Sequence, residues 1–468
     1  MPRLVIAGLA GDAGKTIVSL ALLLALRRRS LAVRAFKKGP DYIDAGWLAW
    51  AAGAPARNLD TFLMGPGTTA ASFARAAIAG GINVVEGNRG LFDGFDTAGT
   101  HSTAELARLL GAPVILVLNA TKMTRTAAAL VVGCQKFDPA LNLAGVVLNR
   151  VNGKRHENIL RASIEQNCGV QVVGAAPKVE VADLVPERHL GLVTLEEHAS
   201  SAALEARLLE QIAPTLDLAR ILEIARAAPP LAAPRETRSQ PCDGRGLRIG
   251  VVRDSAFSFY YAENLETLEA AGAEVVPVSA LSAAQLPGGL HALYIGGGFP
   301  ETHADRLAAN QSFLRSLRDA AEKGLPIYAE CGGLMLLSRS ITWRGGTHVM
   351  AGVLPFEVEV CAAAQGHGYA EALVDAANPF FDIGTRLRGH EFHYSRVILR
   401  SEPPATACSM RRGTGCWRGR DAALVRNVWA SYTHLHALAT PLWTAGLLSA
   451  ARRFAAAPRL EPFHTNCT

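Results

Sequence analysis

The residues with the clearest chemical potential lie near the start of the chain, where a glycine-rich loop separates two apolar runs. Leu4 to Ala7 is typical of a buried strand and Ile17 to Leu26 of a helix, with GLAGDAGKT between them. In such loops backbone N–H groups turn toward phosphates, a lysine reaches the outer phosphates and a threonine reaches magnesium. We therefore predict that a nucleotide binds the following residues: Gly11, Asp12, Ala13, Gly14, Lys15 and Thr16.

Carboxylates follow two further strands of the N-terminal half. Val33 to Phe36 is followed by KKGPDYID, which contains Asp41, and Ile82 to Val85 is followed by EGNRGLFDG, which begins with Glu86. Because ligands of parallel α/β sheets gather beyond the carboxyl ends of the strands, Asp41 and Glu86 are predicted to complete a magnesium shell begun by Thr16. Asp41 also follows a Gly-Pro pair, so a turn-fixing role is the alternative.

Other residues in these segments have no single interpretation. Lys37, Lys38 and Asp93 are candidates to hold substrate or phosphate, and equally candidates for turn residues or solvated charges. The strict spacing of a phosphate loop also places a glycine at Leu9, whereas this chain has Gly8 one residue earlier. The match to the phosphate-loop pattern is therefore good but imperfect.

A second reactive feature, YAECGGLM, lies in the C-terminal half. Cys331 follows the predicted strand Pro326 to Ala329, with Glu330 between them, and precedes two glycines and a helical run. This pattern is typical of a nucleophile elbow, in which small neighbours admit substrate and the helix N-terminus favours thiolate over thiol. We predict that Cys331 is a catalytic nucleophile, the alternative being the small buried hydrophobe that an isolated cysteine usually is.

A cysteine nucleophile needs a base and donors for an oxyanion. The segment SYTHLHALATP supplies His434 and His436, which share a face if the segment is extended, and only one of them need reach Cys331. We assign the base to His434. The loop YIGGGFPE supplies three consecutive glycines, and we assign the oxyanion donors to the N–H groups of Gly297 and Gly332.

The segment RGHEFHYS has the residue types of a metal site. Its histidines, His390 and His393, are three positions apart rather than four, and no third ligand is evident, so zinc is not expected. We interpret these histidines, with Arg388 and Glu391, as a polar lining of a substrate pocket or a domain interface.

Composition and charge indicate the class of protein that must position these residues. The 468-residue chain is 49% hydrophobic and 19% charged, which is typical of a globular protein with two or three domains. Its net charge of +6 is spread along the chain, which argues against nucleic-acid binding and suits a small polyanionic substrate. Eight scattered cysteines and the absence of an apolar run of about eighteen residues predict a soluble, cytoplasmic protein with reduced thiols and no membrane partner.

The pattern of apolar runs divides the chain into two domains. Short strand candidates alternate with helical patterns over residues 1–222, which predicts an α/β domain with a parallel sheet and helices on both faces. Residues 223–246 are rich in Ala, Pro and Arg and are predicted to form a linker. A second α/β domain is predicted over residues 247–468.

Taken in order, these motifs resemble the cobyrinic acid a,c-diamide synthase family of corrinoid biosynthesis over nearly the whole chain. The resemblance rests on GLAGDAGKT, FKKGPDYID, RNLDTF, EGNRGLFDG, FDPALNLAGVVLNRV, PERHLGLV, FSFYYAENLETLE, GGGFPETHADRLAAN, YAECGGLM, RGHEFHYS and SYTHLHA. The family's N-terminal half resembles dethiobiotin synthetase, a P-loop NTPase fold whose longer phosphate loop accounts for Gly8. Its C-terminal half resembles class I glutamine amidotransferases.

The resemblance implies a coupled reaction with ATP, Mg²⁺ and glutamine on a tetrapyrrole polycarboxylate. Cys331 and His434 would release ammonia from glutamine, and the N-terminal domain would convert the a and c acetates into acyl phosphates that ammonia attacks. Family members commonly act as homodimers. The resemblance also implies a magnesium set of Thr16, Asp41 and Glu86, and a carboxylate-activating set that includes Asp41 and Asp93.

Several positions depart from the family pattern. Asp12 stands where the family usually has glycine, and Asn88 and Arg89 stand at positions that are commonly apolar. Arg89 could pair with an additional substrate carboxylate, so sirohaem or nickel sirohydrochlorin is an alternative substrate. His436 occupies the position of the glutamate that orients the catalytic histidine in other class I amidotransferases, which predicts a Cys-His dyad.

Two other functions compete with this interpretation. A partition-type P-loop ATPase usually carries a second lysine early in its phosphate loop, where this chain has Leu9, Ala10 and Gly11, and it has no use for the Cys331 elbow. Cobyric acid synthase is a close neighbour that acts on other side-chain carboxylates. RNLDTF and FSFYYAENLE favour the a,c-diamide branch.

Overall fold

The computed structural model describes residues 1–179, 187–188, 191–192, 195, 201–231 and 242–457. Contacts divide the chain into unit 1, residues 1–238, and unit 2, residues 239–468. Residues 232–241 of the predicted linker and half of the motif PERHLGLV lie outside the described residues. The start of the predicted linker is helical, since a helix runs from Leu218 to Arg226.

Unit 1 alternates strands and helices along the chain. Its strands are β1 (Arg3–Gly8), β2 (Val33–Lys38), β3 (Arg57–Leu59), β4 (Ile82–Glu86), β5 (Val114–Asn119), β6 (Leu143–Val151), β7 (Val172–Pro177), β8 (Glu187–Arg188) and β9 (Gly191–Leu192). Its helices are α1 (Lys15–Arg28), α2 (Tyr42–Ala52), α3 (Thr61–Ala76), α4 (Thr103–Leu109), α5 (Thr126–Phe137), α6 (Gly153–Cys168), α7 (Ser201–Arg207) and α8 (Leu218–Arg226), with a π turn at Leu208–Ile212 and a 3₁₀ turn at Ala213–Thr215.

A parallel sheet forms the centre of unit 1, and its strand order among the described residues is β3-β2-β4-β1-β5-β6-β7. The strands are rich in Val, Ile and Leu and largely buried, which is the pattern of a parallel sheet covered by helices. Strand β4 lies between β1 and β2, so that Ile6 and Lys37 are both in register with Glu86. The loops that follow these three strands therefore meet at one edge of the sheet. The sequence did not predict β3, because three residues are too few to show a periodicity.

Unit 2 begins as a parallel α/β fold and continues with antiparallel strands. Its strands are β10 (Arg248–Val252), β11 (Glu274–Val278), β12 (Ala292–Ile295), β13 (Ile327–Glu330), β14 (Ser340–Trp343), β15 (Gly346–Val349), β16 (Glu357–Val360), β17 (Gly366–Val374), β18 (Arg386–His393), β19 (Ser395–Ile398), β20 (Thr406–Arg412), β21 (Arg420–Val425), β22 (Val428–Ser431) and β23 (His434–Leu435). Its helices are α9 (Ala262–Ala270), α10 (Ala304–Ala309), α11 (Gln311–Glu322), α12 (Gly332–Leu337) and α13 (Leu442–Ala456), with a 3₁₀ turn at Pro300–His303.

The largest sheet of unit 2 has the order β11-β10-β12-β13-β22-β21-β20-β17-β18-β23 among the described residues. Strands β10 to β13 and β22 pair in parallel, and the remaining pairs are antiparallel. Strand β13 lies between β12 and β22, with Ala329 in register with Ile295 and Glu330 with Ser431. The glycine loop, Cys331 and the segment 432–434 therefore emerge at the same edge.

The structure agrees with the predicted fold class of a P-loop type α/β unit followed by a second α/β unit. The predicted strand Pro326 to Ala329 corresponds to β13, which runs one residue later, from Ile327 to Glu330. Among the described residues, every cysteine is free of disulfide bonds. No helix in this part of the chain combines the length and apolar character that a membrane crossing demands.

Candidate active sites

The phosphate loop folds back against strand β1. A side chain at Gly8 would place its Cβ 2.8 Å from the Cβ of Ala13 and 3.2 Å from the Cγ of Lys15, so the close approach requires glycine. Gly14 has a φ of +93°, and the Asn149 amide lies against it while donating to the Ala13 carbonyl at 3.0 Å. This packing explains the glycine at position 8, which the strict phosphate-loop spacing does not predict.

Lys15 is held by backbone carbonyls at the edge of the loop. Its Nζ donates to the carbonyl oxygens of Ala10 and Arg89, each at 2.8 Å, and lies 3.4 Å from that of Gly11. Burial lowers the pKa of Lys15, and the charge of Lys37 lowers it further. The ammonium thus lies between the phosphate loop and the EGNRGLFDG segment, where a bound anion would compete with these carbonyls for it.

A buried ion-pair cluster lies beside the loop. Lys37 Nζ is 2.7 Å from Glu86 Oε1 and 2.5 Å from Asp44 Oδ2, and its side chain is 2% exposed. The Thr16 hydroxyl donates to the same Glu86 oxygen at 3.2 Å. Burial alone would lower the pKa of Lys37, but the charges of Asp44 and Glu86 outweigh it and the pKa is raised. Lys37 is therefore a fixed internal cation rather than a solvated charge.

Asp41 caps helix α2 and also belongs to this charged cluster. Its Oδ1 accepts a hydrogen bond from the backbone N–H of Asp44 at 2.9 Å, which is the bond expected of a turn-fixing residue. Burial and the charge of Asp44 raise the pKa of Asp41 to about 7, although Lys37 opposes the shift. A carboxyl group with this pKa changes charge near neutral pH, so a bound cation would favour its ionised form.

The other predicted substrate residues lie in loops of the same unit. Asp93 Oδ2 accepts a hydrogen bond from the N–H of Gly90 at 2.9 Å, which closes the turn after Arg89. Arg89 has a left-handed backbone, with φ of +51°, and an exposed side chain. Asp12 is exposed, and its charge partly offsets the lowering of the Lys15 pKa. The Asp12 carboxylate thus favours the charged form of Lys15.

The oxygen atoms near Thr16 fit a small divalent cation. Glu86 Oε2 is buried and has no hydrogen-bond partner among the described residues, and the Thr16 hydroxyl lies beside the other Glu86 oxygen. Hydroxyl and carboxylate oxygens are ligands that Mg²⁺ accepts, with water and phosphate completing its shell. The described part of the chain contains no group of three or more His, Cys, Asp or Glu side chains placed to hold a metal on their own.

In unit 2, Cys331 occupies the sharp turn between strand β13 and helix α12. Its φ of +47° lies in the left-handed region, which is strained for cysteine. A Cβ at Gly332 would lie 3.0 Å from the backbone nitrogen of Gly298. A Cβ at Gly333 would lie 2.5 Å from the carbonyl oxygen of Ile295, so this turn depends on its small residues. The structure thus has the elbow geometry that YAECGGLM predicts.

The surroundings of Cys331 favour the thiol over the thiolate. Burial raises the pKa of the Cys331 thiol, the charge of Glu301 raises it further, and a hydrogen bond from the N–H of Gly332 opposes the shift. The sequence predicted a thiolate at the N-terminus of a helix, but α12 has only six residues and does not outweigh burial. Attack by Cys331 therefore requires a base that accepts the thiol proton.

The glycine loop after β12 lies close to Gly332 and to the His434 ring. The N–H of Gly296 donates to the Tyr260 hydroxyl at 2.7 Å and is therefore engaged within the fold. A Cβ at Gly297 would lie 2.5 Å from His434 Cε1, and a Cβ at Gly332 would lie 3.4 Å from the carbonyl carbon of Gly297. The two predicted oxyanion donors, Gly297 and Gly332, are thus close neighbours beside the elbow.

His434 lies three residues beyond strand β22 and faces a carboxylate. Its Nδ1 is 3.4 Å from Oε2 of Glu330, the residue that precedes the nucleophile. Glu330 is buried, accepts the N–H of Leu435 at 3.1 Å through Oε1, and accepts the Tyr294 hydroxyl at 3.2 Å through Oε2. The sequence predicted a dyad because His436 replaces the usual glutamate. The structure adds a carboxylate beside the histidine that this prediction did not include, since Glu330 reaches it from strand β13.

His436 has different neighbours from His434. The rings of His436 and Tyr261 pack with centroids 4.5 Å apart, and His436 Nε2 is 3.6 Å from Glu263 Oε2. His390, from RGHEFHYS, stacks on the His434 ring at 4.9 Å. Burial lowers the pKa of His390 well below its usual value, so this ring is neutral. His434 is therefore the histidine that lies against the glycine loop.

Two further side chains of RGHEFHYS, those of Glu391 and His393, pack inside unit 2. His393 stacks on Tyr432 with ring centroids 3.7 Å apart. Glu391 accepts hydrogen bonds from the N–H groups of Thr414 and Gly415, each at 2.8 Å. Both side chains are buried and make contacts inside the fold, and the polar lining of a substrate pocket or a domain interface stays a prediction.

Similarity to known proteins follows the same two-part organisation. Residues 4–192 match a family described as CobQ/CobB/MinD/ParA nucleotide binding domain, and residues 248–442 match the CobB/CobQ-like glutamine amidotransferase domain. The cobyrinate a,c-diamide synthase of Syntrophotalea carbinolica is 44% identical over 452 residues, covering 94% of this chain and 96% of the relative. That of Magnetococcus marinus is 40% identical over 448 residues, covering 95% and 96%. The chain belongs to the cobyrinate a,c-diamide synthase family.

Membership of the cobyrinate a,c-diamide synthase family confirms the predicted fold class and enzyme class. The chain is a ligase of the glutamine amidotransferase type, with an N-terminal nucleotide-binding domain and a C-terminal amidotransferase domain. Both predicted sites fall within the matched regions, Lys15 in the first and Cys331 in the second.

Sequence reasoning missed three residues that support these sites. Asp44 lies one helical turn after Asp41, a spacing that brings two carboxylates together at a helix N-terminus. Asn149 lies near the carboxyl end of β6, where the rule that ligands gather beyond strand ends also applies. Glu330 is a charged residue in the otherwise uncharged strand that precedes Cys331, and a buried charge of this kind needs a partner.

Proposed function

We propose that this chain converts the a and c acetate carboxylates of cobyrinate into amides, with ATP activating each carboxylate and glutamine supplying the nitrogen. The observation that supports this most is the match to cobyrinate a,c-diamide synthases over nearly their whole length, with both candidate sites included. We also propose that the protein works as a homodimer in the cytoplasm.

The amidotransferase unit would supply ammonia. As His434 takes the thiol proton, the Cys331 sulfur attacks the side-chain amide carbon of glutamine, and the N–H groups of Gly297 and Gly332 stabilise the resulting oxyanion. His434 returns the proton to the leaving nitrogen, so ammonia departs and a thioester remains. Water, deprotonated by His434, then cleaves the thioester to glutamate and restores the thiol.

The nucleotide-binding unit would activate the carboxylate. An acetate oxygen attacks the γ-phosphorus of ATP, ADP leaves, and the acyl phosphate carries a leaving group that a free carboxylate lacks. Ammonia attacks the acyl carbon, phosphate leaves, and loss of a proton gives the amide. Lys15 would exchange its backbone carbonyls for the outer phosphates, since its ammonium already lies at the loop edge.

Magnesium fits the oxygen atoms at this edge. Thr16, Glu86 and Asp41 would hold Mg²⁺, and the buried second oxygen of Glu86 supports this assignment. When bound, the ion would neutralise charge on the phosphates. Asp41 would then be held in its ionised form, while Asp93 and Arg89 would orient the acetate carboxylate.

A related tetrapyrrole is the second candidate substrate. The charge of the exposed Arg89 guanidinium lowers the pKa of Lys38, so these two cationic side chains lie near one another. Such a pair would suit a substrate with an additional carboxylate, such as sirohaem or nickel sirohydrochlorin.

Product analysis tests the proposal. The protein would be offered cobyrinic acid, hydrogenobyrinic acid or sirohaem with ATP and glutamine, and mass spectrometry would count the amides formed. Two amides on cobyrinic acid are expected, whereas two amides on sirohaem alone would favour the second candidate.

Cys331→Ala should abolish glutamine hydrolysis yet keep amidation with ammonium, and Lys15→Ala should stop amidation from either nitrogen source. Loss of both activities in Cys331→Ala would contradict the two-site scheme.

A further inference from the structure

We infer that Glu330 is a positioning residue for glutamine hydrolysis, which holds His434 in the tautomer and orientation that accept the proton of Cys331. This inference rests on the proposed function, because it takes His434 as the base of that reaction. The orienting carboxylate then comes from β13, the strand that ends directly before the nucleophile.

The contacts of Glu330 fix the position of its charge. Oε1 accepts the N–H of Leu435 at 3.1 Å, so the carboxylate is anchored to the residue that follows His434. Oε2 accepts the Tyr294 hydroxyl at 3.2 Å and lies 3.4 Å from His434 Nδ1. A carboxylate that faces Nδ1 favours a proton on that nitrogen, which leaves the Nε2 lone pair to act as a base.

The location of this contact makes a glutamate at position 436 unnecessary. Glu330 and Cys331 are consecutive, so one stretch of chain supplies both the carboxylate and the nucleophile. The side chain that replaces the usual glutamate, His436, faces Glu263 at 3.6 Å instead. The two Glu-His pairs are therefore separate, which allows each to be tested alone.

The negative charge of Glu330 has opposite effects on proton transfer at His434 and at Cys331. It stabilises the imidazolium that forms when His434 accepts a proton, and it directly disfavours a thiolate at Cys331. If the first effect dominates, as the 3.4 Å separation from His434 indicates, removing the charge makes thiolate formation harder. If the second dominates, removing the charge makes it easier.

Glu330→Gln separates these effects. Glutamine retains an oxygen for the Leu435 N–H but turns an amide N–H toward His434, which favours the tautomer that cannot act as a base. We expect kcat for glutamine hydrolysis to fall by roughly 10²- to 10⁴-fold with little change in KM. We also expect alkylation of Cys331 by iodoacetamide to require a higher pH. The other titratable groups that act on Cys331 or contact His434, which are Glu301, Glu391 and His390, are the same in the parent and in the variant.

Glu263→Gln is the matched control, because it removes the carboxylate of the other buried Glu-His pair. It should leave the alkylation profile unchanged, and amidation with ammonium should report correct folding of both variants. Glu330→Asp provides a second variant that keeps the charge and should alkylate more like the parent than Glu330→Gln does.

Three results would overturn the inference: unchanged hydrolysis in Glu330→Gln, faster alkylation at low pH, or an equal loss in Glu263→Gln, which would assign the role to His436. Failure of the proposed function would look different, since the unaltered protein would then not hydrolyse glutamine. The alkylation profiles would still report the effect of Glu330 in that case.

Discussion

Replacing Gly297 with alanine tests the placement of His434 with a single methyl group. The alanine Cβ would lie 2.5 Å from His434 Cε1, 3.4 Å from its Nε2 and 3.4 Å from the Cβ of Phe259. Carbon atoms in contact are ordinarily about 3.5–4.0 Å apart, so the ring must move by about 1 Å. Gly297 does not have a positive φ, so the added methyl acts through space and not through backbone strain.

A displacement of about 1 Å in a catalytic group can reduce a rate about 100-fold. We therefore expect Gly297→Ala to lower kcat for glutamine hydrolysis by about that factor, while amidation with ammonium continues at the parent rate. Steady-state assays of both reactions, with glutamine and with ammonium, measure the two effects separately. The comparison isolates the amidotransferase site from the nucleotide site.

Gly288→Ala is the matched control in the same unit, because a Cβ at Gly288 would meet nothing within 4 Å. It should leave both reactions unchanged. Full glutamine hydrolysis by Gly297→Ala would refute the reasoning, because the ring that the methyl displaces would then not be the base. An equal fall in kcat for glutamine hydrolysis in both variants would mean that these loops tolerate no substitution. The loss in Gly297→Ala could then not be attributed to displacement of His434.

Two further predictions concern unit 1. Lys37→Met leaves the carboxylates of Asp44 and Glu86 without their buried cation, so the free energy of unfolding should fall by roughly 3–5 kcal/mol in chemical denaturation; an unchanged transition midpoint would contradict the ion-pair assignment. Asp41→Asn should raise the melting temperature by an amount that is small near pH 4 and grows until about pH 7. The Asp41 pKa of about 7 lies above its ordinary 3.8, so the folded state holds the proton more tightly and stability is lost as pH rises between these values. A difference from the parent that does not vary with pH would argue against this shift.

The sequence predicted those parts of the sites that contiguous residues build. Cys331 has a strand before it and glycines after it, and this local pattern is enough to form the elbow. The phosphate loop is predictable for the same reason, including the approach of Lys15 to its edge. Even the displaced Gly8 has a local cause, since Ala13 folds back onto it.

Contacts between distant residues could not be predicted in this way. Glu330 meets His434 because β13 and β22 are neighbours in the sheet, and strand order is not visible in the sequence. Lys37 meets Glu86 through the register of β2 with β4. The prediction of a thiolate at Cys331 was wrong because burial raises the pKa of the thiol more than a short helix lowers it. Burial depends on the packing of the whole unit, which the local sequence does not show.

Lys15 connects the phosphate loop to the EGNRGLFDG segment. Its ammonium donates one hydrogen bond to the Ala10 carbonyl of its own loop and another to the Arg89 carbonyl. An anion that attracts this ammonium draws it away from Arg89 and releases one fixed point of the EGNRGLFDG segment. Consider a second ligand that binds better to the released segment. Thermodynamic linkage is reciprocal, so this ligand must raise the affinity for the anion by the same factor by which the anion raises the affinity for this ligand. Occupancy of the two loops would thus be coupled through the hydrogen-bond partners of a single lysine.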